Sequence, residues 1–227
     1  EDFTLVLAAW YVLSRTPGVV VANLSTTAAL DEVARRFGCQ VVRTKIGEAN
    51  VTERMQSDRA VIGGEGNGGV IWPAVNFARD SLVGMALVLH RLAGSGQKVQ
   101  ALAAEYDGFR VVKLQRHCPA EQGRAILARA KEAWAGRPVD LTDGVKVRLE
   151  DGWFILRASN TEPIVRVIAE SGTEARARAI AERVLADVAS WAWPGPPACA
   201  TGAPRRRRAT ARARARSLRL PGRGPRA

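Results

Sequence analysis

Helix and strand patterns alternate through the first half of the chain. Apolar residues recur at spacings of three and four, which is typical of helices with one buried face, at 2–15, 27–37, 50–56, 79–92 and 99–105. Short apolar runs that favour buried strands lie between them, at 19–21, 40–43, 60–63 and 70–72. This alternation predicts a layered α/β unit with a mainly parallel or mixed sheet. In the fourth helix we expect a buried face made of Leu82, Met85, Ala86, Leu89 and Leu92.

The second half has a different order of elements. Its patterns predict a strand at 109–114, a helix at 119–134, strands at 144–149, 152–157 and 163–170, and a helix at 173–190. The dipeptide Asp151-Gly152 is a strong signal for a two-residue hairpin turn. One sheet covered by helices predicts a smaller α+β unit with a mainly antiparallel sheet. We therefore expect two domains, 1–107 and 108–190.

The segment 191–227 departs from both patterns. It is first proline-rich and then arginine-rich, with ten arginines and no acidic residue in 204–227. The net charge of +12 therefore belongs to this tail, because the rest of the chain has 24 basic and 22 acidic residues, which gives +2. Such a segment buries too little apolar surface to offset its ordering entropy, so we expect disorder. A frameshift or readthrough product and a nucleic-acid-binding arm are both open interpretations.

The bulk composition excludes several classes of protein. Apolar runs stay below the ~18–20 residues that a membrane span needs, and the acidic first residues are unlike a secretory signal. The three cysteines are widely spaced and form neither a metal-binding pattern nor a disulfide framework. His90 and His117 are isolated and predict no metal site. We expect a cytoplasmic protein that does not enter membranes.

A turn dense in hydrogen-bond donors lies between the last two predicted strands. It reads Arg157-Ala158-Ser159-Asn160-Thr161-Glu162-Pro163. An arginine fork suits a phosphate, and converging backbone N–H groups of such a turn can form an anion-binding concavity. Arg166 follows in the next strand, although its direction is open at this point. The alternative is a polar hairpin turn with a surface arginine.

A glycine-rich stretch follows the predicted strand 60–63. Five glycines lie among the seven residues 63–69, together with Glu65 and Asn67. Ligands of open α/β sheets bind at the carboxyl ends of strands, and a carboxylate there can accept hydrogen bonds from two hydroxyls. The stretch lacks the Gly-Lys-Ser/Thr of a nucleotide-binding P-loop. The alternative is a flexible hairpin with a solvated glutamate.

Three motifs in order carry a resemblance to a known family. They are Thr44-Lys45-Ile46-Gly47, the stretch Gly63 to Ile71 with Pro73 and Arg79-Asp80, and the donor-rich turn at 157–163. Together they resemble the α-D-phosphohexomutases, which include phosphoglucomutase/phosphomannomutase and phosphoglucosamine mutase. The resemblance covers roughly residues 1–190 and corresponds to the third and fourth domains of a four-domain enzyme.

The resemblance implies a function and a set of site residues. Members of the family interconvert hexose 6-phosphates and hexose 1-phosphates through a hexose 1,6-bisphosphate, using a phosphoserine and Mg²⁺. It implies that the substrate phosphate that does not react is held by Arg157, Ser159, Asn160, Thr161 and Arg166. It implies that the sugar is contacted by Glu65, Asn67 and Lys45, with contact to the phosphate left open as an alternative for Lys45. The sugar loop departs from the commoner Gly-Glu-x-Ser-Gly-His form, which leaves glucose, mannose and glucosamine phosphates open.

Two motifs of the family do not occur in this sequence. They are the serine loop that carries the phosphoryl group and the Asp-x-Asp-x-Asp-Arg loop that binds Mg²⁺. We therefore expect the substrate-binding C-terminal half of a phosphohexomutase, with no catalytic or metal-binding residue of its own. Its expected partners are a hexose phosphate and the missing N-terminal domains. The alternative is a non-catalytic phosphosugar- or nucleic-acid-binding module, in which the basic tail makes nonspecific phosphate contacts.

Overall fold

The computed structural model describes residues 1–159 and 162–191, apart from the side chain of Ala120. These residues belong to one compact unit. Asn160, Thr161 and the predicted tail beyond Trp191 lie outside the described residues. Within the described residues, no helix is long and apolar enough to cross a membrane.

A mixed sheet forms the centre of the first half. Its strands are β1 (Val20–Asn23), β2 (Val41–Thr44), β3 (Ile62–Gly64) and β4 (Val70–Ile71). They lie in the order β2-β1-β3-β4, with parallel pairing among the first three and an antiparallel β3–β4 hairpin at one edge. This confirms the expected α/β sheet. The carboxyl ends of β1, β2 and β3 consequently lie side by side at one edge.

Five helices accompany this sheet. They are α1 (Phe3–Leu13), α2 (Ala29–Arg36), α3 (Glu48–Ser57), α4 (Ser81–Ser95) and α5 (Val99–Ala104). The main core joins α1, α2, α4 and α5 to the sheet and contains the fully buried Leu5, Leu30, Ile62 and Leu102. A second, smaller core lies around Val51 and Met55 of α3. Helices thus supply two separate cores to one sheet, as a layered α/β unit requires.

The predicted buried face of α4 is wrong. Leu82, Met85 and Leu89 are 73%, 53% and 63% exposed, and Ala86 is exposed as well, whereas Leu87 is 2% exposed. Among the five residues of the predicted face, only Leu92 packs against the core. Because the helix is apolar on nearly all sides, the spacing of its apolar residues does not identify the buried side. The buried side is set by packing against the neighbouring elements.

The buried side of α4 is defined by a small residue and an arginine. Gly84 is buried, and a Cβ added there would lie 3.2 Å from Val70 of the adjacent strand. Arg91 is buried with its guanidinium over the ring of Trp10, 3.1 Å from the ring centroid, and pairs with Glu105 at 3.3 Å. A stacked and paired arginine can occupy a position where spacing rules predict a hydrophobic residue.

The second half forms an antiparallel sheet. Its strands are β5 (Arg110–His117), β6 (Val139–Asp140), β7 (Val145–Leu149), β8 (Gly152–Ala158) and β9 (Ile164–Ser171), in the order β5-β9-β8-β7-β6. Every pairing among them is antiparallel, which confirms the expected α+β sheet. The short edge strand β6 was not predicted. The predicted domain boundary at 107/108 falls in the turn between α5 and β5 and stays a prediction.

The two faces of this sheet pack against different partners. Helices α6 (Ala120–Ala133) and α7 (Glu174–Trp191) cover one face, where Phe154 and Leu156 alternate along β8. The other face carries Trp153 and Ile155, which pack with Leu24, Ile46 and Ile168. Leu24 and Ile46 follow β1 and β2. The second sheet therefore presents its other face to the loops at the carboxyl ends of the first sheet.

A half-buried lysine strengthens this contact between the two sheets. Lys146 of β7 donates a hydrogen bond from Nζ to the carbonyl oxygen of Leu24 at 2.6 Å, and Nζ lies 4.0 Å from the ring centroid of Trp153. Burial lowers the pKa of Lys146 to about 8, and the nearby charge of Arg43 acts in the same direction. Glu170 of β9 accepts from the backbone N–H of Ala28 at 3.0 Å and from the Trp153 indole at 2.7 Å.

Candidate functional site

Glu65 lies at the carboxyl ends of the three parallel strands. It follows β3 directly, is only 5% exposed, and uses Oε1 to accept hydrogen bonds from Asn23 Nδ2 at 2.8 Å and Gly47 N at 3.1 Å. Asn23 ends β1, and Gly47 follows β2. Donors from two neighbouring strand ends therefore hold this carboxylate. The alternative of a solvated glutamate in a flexible hairpin does not agree with this burial.

An arginine pairs with the other carboxylate oxygen of Glu65. Arg79 Nη1 lies 3.4 Å from Glu65 Oε2, while Arg79 Nε donates to Glu48 Oε2 at 2.8 Å. The backbone N–H of Arg79 donates to Glu48 Oε1 at 2.9 Å. These backbone and side-chain hydrogen bonds lower the pKa of Glu48. Glu65 is thus a fixed acceptor group, and Asn23, Glu48 and Arg79 are functional candidates to which sequence reasoning gave no role.

Close packing requires the first glycines of the glycine-rich hairpin. Gly64 has a φ of 155°, and a Cβ there would lie 2.0 Å from the carbonyl oxygen of Gly69. The turn is closed by a hydrogen bond from Glu65 N to Gly69 O at 3.0 Å. Asn67 is exposed at the tip, where its Oδ1 accepts from Gly69 N at 3.2 Å. The hairpin therefore holds Glu65 inward and leaves Asn67 in solvent.

Lys45 and Lys113 approach this region from different elements. Lys45 lies in the loop after β2, is exposed, and its ammonium makes no ion pair or hydrogen bond within residues 1–159 and 162–191. Lys113 of β5 donates to the carbonyl oxygen of Gly66 at 3.0 Å and pairs with Glu1 and Asp2. Burial opposes the charge of Lys113, but the hydrogen bonds to these two carboxylates raise its pKa. Lys113 thus ties the glycine-rich hairpin to the second sheet.

The two predicted phosphate-binding arginines are cross-strand neighbours. Arg157 in β8 pairs in register with Arg166 in β9. Residues directly opposite each other in an antiparallel pair project from the same face, with Cβ atoms about 4.5–5.5 Å apart. Arg166 therefore points to the same side as Arg157, which the sequence could not decide. Two cations this close are unfavourable unless anionic groups lie beside them.

Carboxylates pair with both arginines in this structure. Arg157 Nε donates to Asp143 Oδ1 at 3.0 Å, and Arg166 pairs with Glu162. Ser159 Oγ accepts from Glu162 N at 3.2 Å, and Ser159 N donates to Ile164 O at 2.9 Å, which closes the turn. The predicted site residues Asn160 and Thr161 lie outside the described residues. Asp143 was not predicted.

The two predicted loops meet through the face of the second sheet that packs on the first. Arg157 has the same parity in β8 as Trp153 and Ile155, which pack with Leu24 and Ile46. Asp143 Oδ2 also accepts a hydrogen bond from Ile46 N at 2.8 Å. The Arg157 end of β8 therefore touches the loop that holds Glu65, and the fold gathers acceptors and cations from both sheets into one region.

The described residues offer no obvious metal site. Within residues 1–159 and 162–191, no group of three or more histidine, cysteine, aspartate or glutamate side chains is arranged to hold a metal ion. The arrangement instead combines fixed acceptors around Glu65 with a pair of arginines. Acceptors of this kind suit hydroxyl groups, and paired arginines suit a phosphate.

Comparison with known proteins assigns both halves of the chain. Residues 1–109 match the family profile "Phosphoglucomutase/phosphomannomutase, alpha/beta/alpha domain III", and residues 96–187 match "Phosphoglucomutase/phosphomannomutase, C-terminal domain". The chain belongs to the phosphoglucomutase/phosphomannomutase family. This confirms the resemblance to the α-D-phosphohexomutases and the assignment to their third and C-terminal domains.

Relatives within this family include two archaeal proteins. A phosphoglucomutase/phosphomannomutase of Thermococcus kodakarensis is 37% identical over 180 residues, which are 78% of this chain and 39% of the relative. A probable phosphoglucosamine mutase of Methanopyrus kandleri is 35% identical over 173 residues, covering 74% of this chain and 38% of the relative. The chain thus spans about two fifths of the length of these relatives.

Solved structures of the family share the fold. A phosphoglucomutase/phosphomannomutase family protein from Burkholderia thailandensis superposes with a TM-score of 0.67 at 26% identity, covering 86% of this chain and 42% of that one. An N-acetylphosphoglucosamine mutase of Aspergillus fumigatus, solved in complex with GlcNAc-6P and magnesium, gives a TM-score of 0.58 at 19% identity, with 84% and 43% covered. The second likeness concerns the fold alone.

Proposed function

We propose that this chain is the substrate-holding part of a phosphohexomutase, which interconverts hexose 6-phosphate and hexose 1-phosphate through a hexose 1,6-bisphosphate. The observation that carries the proposal is the register of Arg157 opposite Arg166, at the end of a sheet whose same face contacts the loop around Glu65. The family membership supports the reaction class. The comparisons give no support to the nucleic-acid-binding alternative.

In this proposal the arginine pair holds the phosphate that does not react. Arg157 and Arg166 supply forked donors from one face of the sheet, and the turn with Ser159, Asn160 and Thr161 supplies hydroxyl, amide and backbone donors. A phosphate dianion between the arginines replaces part of the charge neutralisation that Asp143 and Glu162 provide in this structure. Anchoring this remote phosphate orients the other end of the sugar for transfer.

In this proposal the loops of the first sheet bind the sugar hydroxyls. Glu65 is the fixed acceptor, and its orientation is set by Asn23, Gly47 and Arg79 before any ligand binds. Asn67 and Lys45 are exposed beside it and supply adaptable donors. Preorganised acceptors reduce the entropy that binding must overcome. Ligands such as the glucose, mannose and glucosamine phosphates differ at hydroxyl or amino groups that these side chains can distinguish.

Mg²⁺ and the phosphoryl carrier belong to the proposed whole enzyme. Mg²⁺ would supply charge neutralisation during phosphoryl transfer. The described residues do not fit it, because they contain no cluster of three suitable side chains. The proposed contribution of this chain is therefore binding and orientation, with the missing N-terminal domains as its partner. A cytoplasmic setting is supported by free thiols at Cys39 and Cys118.

Isothermal titration with glucose 6-phosphate and with inorganic phosphate tests the phosphate assignment. Arg157→Ala should weaken the binding of both ligands by about 1.5–3 kcal/mol, the usual range for hydrogen bonds to a charged group. The matched control is Arg178→Ala, which removes an exposed arginine paired with Glu174 on α7. Equal affinities for wild type and Arg157→Ala would show that Arg157 does not contact the phosphate and would overturn the proposal.

A second substitution tests the sugar assignment with the same two ligands. Glu65→Gln keeps the shape of the side chain but removes its charge and one acceptor. It should lower the affinity for glucose 6-phosphate several-fold and leave the affinity for inorganic phosphate unchanged, because Glu65 is assigned to the sugar hydroxyls. Glu53→Gln, at an exposed position of α3, is the control. An equal loss for both ligands would show that the substitution disturbs the fold and not the sugar contact.

A further inference from the structure

Asp143 uses both oxygens of one carboxylate to join the two halves of the site. It lies between β6 and β7, and its side chain is 17% exposed. Oδ1 accepts from Arg157 Nε at 3.0 Å, and Oδ2 accepts from Ile46 N at 2.8 Å. The two donors are 111 residues apart in the chain: Arg157 belongs to β8 of the second sheet, and Ile46 lies in the loop after β2 of the first. The carboxylate therefore bridges the proposed phosphate loop and the loop after β2.

The bridge continues to the proposed sugar site. Gly47, the residue after Ile46, donates its backbone N–H to Glu65 Oε1 at 3.1 Å. Arg157, Asp143, the Ile46-Gly47 segment and Glu65 thus form one continuous series of hydrogen-bonded groups. Each link lies within the ordinary range of hydrogen-bond lengths. These contacts connect the two ends of the site physically.

The bridge also prepares Arg157 for an anion. Within the described residues, the hydrogen bonding of Arg157 runs through Nε, so its two terminal nitrogens are available for a ligand. Fixing a free arginine side chain costs rotamer entropy. Asp143 meets part of that cost before binding, because the guanidinium plane is already held at one edge. The carboxylate also partly cancels the charge of Arg157, which opposes anion binding.

We propose that Asp143 is a positioning residue that orients Arg157 for the substrate phosphate and couples occupancy of the phosphate loop to the loop that holds Glu65. The proposal rests on the proposed function, since it takes Arg157 as a phosphate ligand. It goes beyond it by assigning a role to a residue that touches no substrate. A carboxylate that merely neutralised Arg157 would behave in the opposite way, because its removal would strengthen anion binding.

Asp143→Asn separates these two roles. Asparagine replaces one carboxylate oxygen with an NH₂ group that only donates, so with the same side-chain geometry it can accept from Arg157 Nε or from Ile46 N but not from both. It also carries no charge. Positioning predicts that glucose 6-phosphate binds about five- to thirty-fold more weakly, whereas charge neutralisation alone predicts tighter binding. Asp107→Asn is the matched control, because Asp107 is an exposed carboxylate paired with Arg110. It should leave the affinity unchanged.

A double-mutant cycle tests whether Asp143 acts through Arg157. Titration calorimetry with glucose 6-phosphate would compare wild type, Asp143→Asn, Arg157→Ala and the double variant. If Asp143 acts by orienting Arg157, its substitution should cost less than about twofold once Arg157 is absent. A general loss of folding would instead weaken binding in both backgrounds. Urea midpoints of all four variants identify such a loss directly.

The coupling has a spectroscopic signature on the full chain. Titration of inorganic phosphate into ¹⁵N-labelled wild-type protein should shift the amide signals of Ile46 and Gly47, and Asp143→Asn should abolish this response. Undiminished binding by Asp143→Asn, or an unchanged Ile46 amide in phosphate-bound wild type, would overturn the proposal alone. Failure of the wild-type chain to bind either ligand would overturn the proposed function and this proposal with it, so the two failures are distinguishable.

Discussion

Gly144 follows Asp143, and Gly144→Ala should be among the most damaging small substitutions in the chain. Gly144 has a φ of 74°, in the left-handed region that favours glycine. A Cβ there would lie 2.3 Å from the carbonyl oxygen of Leu156 and 3.0 Å from Cγ of Arg157. One methyl group would therefore strain the backbone and press on β8 where it carries Arg157.

The cost divides into two parts. A left-handed conformation costs a residue with a Cβ about 1–2 kcal/mol, and the loss of unfolded-state freedom from glycine returns about 0.4–1 kcal/mol. The conformational part is therefore about 0–1.6 kcal/mol. Contact with a backbone oxygen at 2.3 Å adds an overpacking cost, typically about 1–3 kcal/mol. The sum for Gly144→Ala is about 1–5 kcal/mol of unfolding free energy.

Gly38→Ala isolates the conformational part. Gly38 has a similar φ of 66°, but a Cβ there would have no atom within 4 Å. Urea denaturation followed by tryptophan fluorescence gives both unfolding free energies from midpoint and slope. We expect Gly38→Ala to cost under about 1.6 kcal/mol and Gly144→Ala at least about 1 kcal/mol more. Equal costs would refute the argument, because they would show that β8 yields to the extra methyl group without penalty.

Two further predictions concern stability. Lys146 has its pKa lowered by burial from 10.5 to about 8, so the unfolded chain binds more protons between these values and stability rises with pH across that window. Between pH 7 and pH 10, the free energy of unfolding measured in urea should rise by up to about 3 kcal/mol more for wild type than for Lys146→Met. Equal rises for the two proteins would contradict the burial argument. Leu87→Ala should cost about 2–5 kcal/mol and Leu89→Ala under about 0.5 kcal/mol, because Leu87 is buried and Leu89 is exposed. The same urea titration measures both, and the reverse order would restore the face of α4 predicted from the sequence.

The sequence predicted most helices and strands because their apolar periods are clear. It placed β1 and β3 one or two residues too early, because apolar runs end where backbone pairing continues, as Asn23 opposite Thr44 shows. It chose the wrong face of α4, since Gly84 and Arg91 gave no hydrophobic signal although both are buried. It missed β6, because a strand of two residues is too short to show a repeating pattern of apolar positions.

The candidate site was predicted unevenly for a related reason. Arg157, Glu65 and their neighbours lie in short motifs of unusual composition, which a sequence displays directly. Asp143 and Asn23 acquire their roles from partners far along the chain, such as Ile46 and Glu65, and nothing in their own surroundings distinguishes them from surface residues. The role of Asp143 as a bridge is visible only in the tertiary structure.

Arg157 and Arg166 oppose each other across one rung of the second sheet, and in the described residues each has a single carboxylate partner. Folding must hold these like charges together at a cost in free energy. A doubly charged oxyanion that bridges them returns part of that cost and stabilises the folded chain by mass action. If the arginine pair binds oxyanions as proposed, the buffer anion is a thermodynamic variable for this protein. We expect phosphate and sulfate to favour the folded state over chloride, so that melting temperatures are comparable only between solutions of the same anion.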